Sequence, residues 1–249
     1  MPYPDFIDVS NDVFVAASGT DTVTKSGCTQ GALILVQSFI RTAGNFVDTT
    51  NITNIESLVG TDNSLNQLAT AAVGAVSAGT HEIKLGRVIA NGTCSIDVSD
   101  GGGATPLWCR FYEFTNVRNE RFVTENNVAF PELADPGGTW GFNAATSTTI
   151  THNDIITTGL ERLAASFICV DAQQALAEYS GETGGTWTKP VTEFASASGG
   201  GATIGIQTAE IASPGTISGG TITITSNEWS TVDFALIAGL TASVAWIGA

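Results

Sequence analysis

The stretch Thr221-Ile222-Thr223-Ile224-Thr225 alternates polar and apolar residues without a break. That is the two-residue period of a strand with one face in a core and the other in water. Thr203-Ile204-Gly205-Ile206-Gln207 repeats the pattern, so its threonine and glutamine are also expected to face water. Read in this way, the chain predicts strands over 13–18, 32–42, 82–90, 94–98, 107–117, 163–171, 186–195, 203–211, 221–226 and 230–238. A last apolar piece covers 242–248. Turn-forming runs separate these segments, among them Asn91-Gly92, Asp100-Gly101-Gly102-Gly103, Ser198-Gly199-Gly200-Gly201 and Ser218-Gly219-Gly220.

Some strands break the alternation. Segment 107–117 carries Trp108, Tyr112 and Phe114 on one face and Cys109 and Phe111 on the other. A strand that is apolar on both faces is central in a sandwich, or is covered by a loop or a neighbouring subunit. Segments 163–170 and 234–240 also read as central. Helix is a minority: 63–76 has the propensity for one, and Ala172, Leu176 and Tyr179 are spaced for a turn or two within 171–179. The sum is an all-β fold, a two-sheet antiparallel β-sandwich with one or two short helices. With 249 residues and no compositional break, 1–249 reads as a single domain.

Segment 118–143 is the exception to this regularity. It is weakly periodic and holds Pro131 and Pro136, and it reads as a long loop excursion. It carries arginines and aromatics, the residue types that interfaces favour: Arg118, Arg121, Phe122, Phe130 and Trp140. These five are the candidate contact residues for another protein chain. The competing expectation is that the excursion folds back over 107–117. Gly137-Gly138-Thr139-Trp140 recurs as Gly184-Gly185-Thr186-Trp187, which predicts two similar hairpin starts with an anchoring tryptophan. Trp187 and Phe234 are expected in the core.

Composition narrows the function classes. Nine Lys and Arg stand against 24 Asp and Glu, a formal net charge of -15. Phosphate neutralisation needs the basic residues that are scarce here, so neither nucleic acid nor an anionic membrane is expected as a partner. With 43% hydrophobic and only 13% charged residues, the chain is not intrinsically disordered. No run approaches the ~18 apolar residues of a membrane helix. The start, MPYPDFIDVSND, lacks the basic and apolar regions of a secretory signal, which leads us to expect synthesis in a cytoplasm. Cys28, Cys94, Cys109 and Cys169 form no CxxC pair, so reduced thiols are expected rather than a zinc site.

Candidate chemistry is sparse. His81 and His152 lie in no nucleophile motif and read as a strand-opening and a turn histidine. Glu113 lies beside Trp108 and Tyr112, where a carboxylate among aromatics can bind sugar; the plainer expectation is a solvated or arginine-paired side chain. The 97–103 turn lacks the distal glutamate of an EF-hand. No catalytic residue, metal ligand or cofactor is expected.

The second half carries a recurrent pattern. Thr157-Thr158-Gly159-Leu160-Glu161-Arg162 leads into an apolar strand, followed by Glu182-Thr183-Gly184-Gly185-Thr186-Trp187, Gly205-Ile206-Gln207-Thr208-Ala209, Gly215-Thr216-Ile217-Ser218-Gly219-Gly220 and Phe234-Ala235-Leu236-Ile237. The first half has Gly31-Ala32-Leu33-Ile34-Leu35 and Gly86-Arg87-Val88-Ile89-Ala90. Over residues 30–120 and 155–240 the chain resembles the jelly-roll-type structural proteins of tailed bacteriophages. The resemblance rests on strand and turn signatures and carries over no individual functional residue. It implies a non-enzymatic virion protein, assembled in the host cytoplasm, that decorates the capsid or forms part of a fibre or tail. Implied partners are the major capsid protein or other virion proteins, and further copies in a homo-oligomer such as a trimer. The alternatives are a carbohydrate-binding receptor module of a phage tail and a polysaccharide-degrading enzyme. Exposed tryptophan would favour the first of these, and paired acids in an aromatic groove the second.

Overall fold

The computed structural model describes residues 3–16, 18–42, 47–56, 66–73, 79–100, 105–117, 141–157 and 162–238. The fold is an all-β sandwich, and every strand pair in it is antiparallel. In chain order the strands are β1 (Asp5–Val9), β2 (Val13–Val15), β3 (Thr20–Cys28), β4 (Leu33–Ile40), β5 (Asp48–Thr53), β6 (Ile55–Glu56), β7 (Asn66–Val73), β8 (Gly79–Val88) and β9 (Gly92–Ser99). They continue with β10 (Leu107–Thr115), β11 (Gly141–Thr151), β12 (Ile155–Thr157), β13 (Arg162–Val170), β14 (Phe194–Ser196), β15 (Ala202–Ile211), β16 (Gly215–Ile217) and β17 (Thr221–Ile237).

Two larger sheets face each other. One runs β1-β10-β4-β8-β6, with β2 also on β10 and β7 also on β8. The other runs β11-β17-β13-β15-β14. Between them Leu33, Leu35, Leu85, Tyr112 and Phe114 pack against Leu163, Phe167, Ile206, Phe234 and Leu236. Phe167 lies edge-on to Tyr112 and stacks on Phe234. A third sheet, β3-β9-β5, covers the opposite face of the first. Val23, Cys94, Ile96 and Val98 meet Ile34, Val36, Cys109 and Phe111 there. This third layer is why β10 is apolar on both faces: it is a central strand of a middle sheet. The outer face of the second sheet is covered in turn by residues 172–193 and the β12–β16 ribbon, over a core that includes Ile168, Tyr179, Trp187 and Trp229.

The expected helices are absent from the described residues. The 63–76 helix is replaced by β7, which pairs with β8 from Asn66↔Leu85 to Val73↔Gly79. A short helix is marginal alone, and an open sheet edge offers the same backbone groups a full ladder. In 171–179 the amide hydrogens go to side chains instead: Gln174 N to Thr203 Oγ1, Leu176 N to Glu193 Oε1 and Tyr179 N to Gln207 Oε1. Thr203 and Gln207 are therefore buried acceptors rather than water-facing residues, because a chain segment lies over them. Ile222 and Ile224 do face a core, with Thr223 and Thr225 exposed. Segments 221–226 and 230–238 are one strand, β17, which absorbs its polar centre at a register shift opposite Ser147–Thr149. Of the expected 186–195 strand only 194 and 195 form, as the start of β14, plus a bridge between Thr188 and Thr208.

Candidate functional site

Polar side chains cross each layer junction. Between the two larger sheets, Tyr112 donates its hydroxyl to Gln37 Oε1 at 2.6 Å, and Gln37 Nε2 donates to Ile168 O at 2.9 Å. His81 Nε2 lies 2.9 Å from the same amide nitrogen and accepts from it, so the ring carries its proton on Nδ1 and donates to Ser230 Oγ at 3.0 Å. His81 is fully buried, and burial pushes its pKa down to about 3. Between the first and third sheets, Lys25 Nζ lies 2.7 Å from Glu113 Oε2, with the side chains 6% and 0% exposed. Burial alone would pull the Lys25 amine down, but the carboxylate beside it prevails and holds it above its ordinary value. Glu113 Oε1 accepts from Thr29 N at 2.7 Å. Glu113 is thus neither solvated nor paired with arginine, and it does not reach a sugar-accessible surface.

His152 is buried as well, although its local sequence suggests a polar turn. Its Nε2 accepts from Trp187 Nε1 at 3.2 Å and from Gly220 N at 3.3 Å. Next to it, Ser166 Oγ donates to Asp233 Oδ1 at 2.6 Å and lies 3.0 Å from the Tyr179 hydroxyl. Burial raises the Asp233 carboxyl despite these hydrogen bonds. All these groups are walled in by the second sheet and its cover, so they hold segments together rather than face a ligand.

One open cleft, of about 580 Å³, lies where the core between the two larger sheets reaches the surface. The sequence builds it from three places. Pro4, Asp5 and Phe6 form one side, and the Phe6 ring is anchored edge-on to Phe114 at 5.6 Å. Leu163, Thr208 and Glu210, from neighbouring strands β13 and β15, form the floor and rim. Gly185, Thr186 and Thr188 form the other side. Trp187 is pinned inward, so the threonines on either side of it point outward. Two backbone hydrogen bonds of 2.8 and 2.9 Å tie Thr188 to Thr208. Gly184 begins this wall at φ +86°, with Thr216 O only 1.8 Å from where a Cβ would stand.

The cleft is therefore lined by the exposed Thr186 and Thr188 and by two exposed carboxylates, beside a phenylalanine, a proline and a leucine; Thr208 is buried, and the Thr188 hydroxyl donates to its carbonyl at 3.2 Å. Asp5 Oδ2 accepts from Asn116 Nδ2 at 2.6 Å, which holds the exposed carboxylate in place. Hydroxyls and carboxylates above apolar carbon suit a polyhydroxylated ligand. General acid work on a glycosidic bond needs one carboxyl kept protonated by burial. Asp5 and Glu210 are both exposed, an arrangement suited to binding.

The repeated Gly-Gly-Thr-Trp motif foreshadows this wall through its second copy, whereas Asp5 and Glu210 have no local signal. Arg118, Arg121, Phe122, Phe130 and Trp140 lie outside the described residues. Of the described residues on either side of them, Val117 bridges Ala238, just past the end of β17, and Gly141 pairs with Asp233 within it. The described tryptophans, Trp108, Trp187 and Trp229, are all buried. The four cysteines are free and buried, and no group of three metal-capable side chains occurs among the described residues. No family model, curated protein or solved structure matches the chain. Fold and site define a layered all-β protein with a hydroxyl- and carboxylate-lined cleft.

Proposed function

We propose that this protein is a non-enzymatic structural component of a bacteriophage particle, which decorates the capsid or forms part of a fibre through contacts with other virion proteins and with copies of itself. The observation that supports this reading is the pinning of successive layers. A buried Tyr112–Gln37–His81–Ser230 chain joins the two larger sheets, and a buried Lys25–Glu113 ion pair joins the middle sheet to the outer one. Buried polar groups of this kind cost stability unless fully matched, and they fix one register of the layers against all others. Such rigidity suits a permanent part of an assembly. The interface is proposed to involve the 118–143 excursion with Arg118, Arg121, Phe122, Phe130 and Trp140. Quantitative mass spectrometry of purified particles tests the reading. Hundreds of copies per particle place the protein on the capsid and a handful in the tail or a fibre, whereas absence from intact particles refutes it.

A second reading is favoured by the cleft: recognition of a glycan on a host surface. Glycan-array binding that is lost in Asp5→Asn and Glu210→Gln, with an unchanged melting curve, supports it. Binding that survives both substitutions refutes a role for the cleft.

A further inference from the structure

Two of the four thiols lie on one pair of strands. Cys28 ends β3, and Cys94 lies on the paired strand β9. Lys25 stands opposite Cys94 and Cys28 opposite Gly92, with an extra residue bulged out between them on β3. A bulge re-aims the side chains beside it. Here it leaves Cys28 and Cys94 as diagonal neighbours across the β3–β9 pair, both buried in the core shared by the first and third sheets. Cys28 Sγ also lies 3.6 Å from Lys25 O, and Cys94 Sγ lies 3.7 Å from Asn54 Nδ2. Ser26, Gly27 and Thr29 around Cys28 are exposed, so this end of the strand is the short route from solvent.

The two sulfurs are not equivalent. The neighbouring Cys94 holds the Cys28 thiol below its ordinary value, against the effect of burial. Cys28, with burial, raises Cys94. Burial alone is the leading cause that raises Cys109 and Cys169, which sit elsewhere in the core. A thiolate reacts with peroxide and a thiol does not, and Cys28, at the strand end among exposed residues, is the sulfur that peroxide reaches first.

We propose that Cys28 and Cys94 are a peroxide-oxidisable pair whose disulfide locks β3 to β9 once the protein meets an oxidising medium. In the first step the Cys28 thiolate attacks one oxygen of hydrogen peroxide. An S–O bond forms, the O–O bond breaks, and the departing hydroxide takes the proton Cys28 gave up and leaves as water. In the second step the Cys94 sulfur attacks the Cys28 sulfenic acid. The S–S bond forms, the S–O bond breaks, and the hydroxide leaves as water with the Cys94 proton. Two thiols lose two electrons, and one peroxide becomes two waters. The inference rests on the strand register and on the burial of both side chains in one core, and it stands or falls separately from the particle reading.

The test uses the full chain, treated with hydrogen peroxide, quenched, then denatured and alkylated without reductant. The expected result is a fall from four alkylated cysteines to two, Cys109 and Cys169. A cross-linked Cys28–Cys94 peptide pair two hydrogens lighter should appear and be lost on adding dithiothreitol. The urea midpoint should rise on oxidation and return on reduction. In Cys94→Ala, Cys28 should stop at a sulfenic acid that dimedone traps. In Cys28→Ser, Cys94 should stay alkylatable. Four surviving thiols, equal attack on Cys109 and Cys169, a capped Cys28 beside a free Cys94, or an unchanged midpoint would each overturn the proposal.

Discussion

Lowering the pH from 7 to about 4.5 isolates the contribution of His81. In the fold the ring is neutral, because Nε2 accepts from Gln37 and the ring is fully buried away from solvent. Its pKa is pushed from 6.5 to about 3 by burial. In the unfolded chain the same ring titrates normally, so below pH 6.5 the unfolded state binds a proton that the folded state refuses. Stability is therefore lost as pH falls, with a slope of about 1.4 kcal/mol per unit for one proton. Between pH 6.5 and 4.5 that amounts to about 2.5 kcal/mol, and the loss levels off near pH 3, where the folded ring also protonates. Other groups titrate in this range: Asp97, held low by Thr22 and Asn51, adds to the loss, while Asp171 and Asp233, raised by burial, oppose it. His81→Gln removes the one titration and keeps an amide that can bond Gln37 and Ser230. Urea melts at the two pH values should show the wild type losing about 2.5 kcal/mol more than this variant. Ring NMR shifts should show His81 neutral at pH 4.5. Parallel losses in the two proteins, or a His81 ring that protonates near pH 6, would refute the reasoning.

Lys25→Met strands the fully buried Glu113 carboxylate, and we expect a loss of about 3–5 kcal/mol in urea unfolding; adding Glu113→Leu should restore much of it. Phe234→Ala removes a ring stacked on Phe167 at 5.5 Å and should cost about 3–5 kcal/mol by the same measurement. Gly184→Ala forces a Cβ into Thr216 O at a positive φ, and a drop in melting temperature together with weakened glycan binding is the expected result.

The strands were more legible than the layers. Alternation identifies Ile222 and Ile224 as core residues because one face of that strand does meet water. The same rule fails at Thr203 and Gln207. Their face is buried, and their polarity is used to hold the 172–179 segment by its backbone. A one-dimensional pattern cannot separate a polar residue that faces water from one that faces an uncovered amide. It also cannot say what covers Leu107–Thr115. Two apolar faces require a cover, and the cover is the β3-β9-β5 sheet. Of those three strands the sequence pattern picks out only 94–98, because Thr20–Cys28 and Asp48–Thr53 bury few large side chains. The site divides along the same line. That Trp187 is a core residue follows from the Gly-Gly turn before it, and that inference needs only neighbours in sequence, although no hairpin strand starts there. Asp5 joins Glu210 in the cleft only because β1 pairs with β10, and the middle sheet then brings β1 to the edge of the second sheet. What placed the acids together is sheet order, a property of the packed layers that no local stretch of the chain encodes.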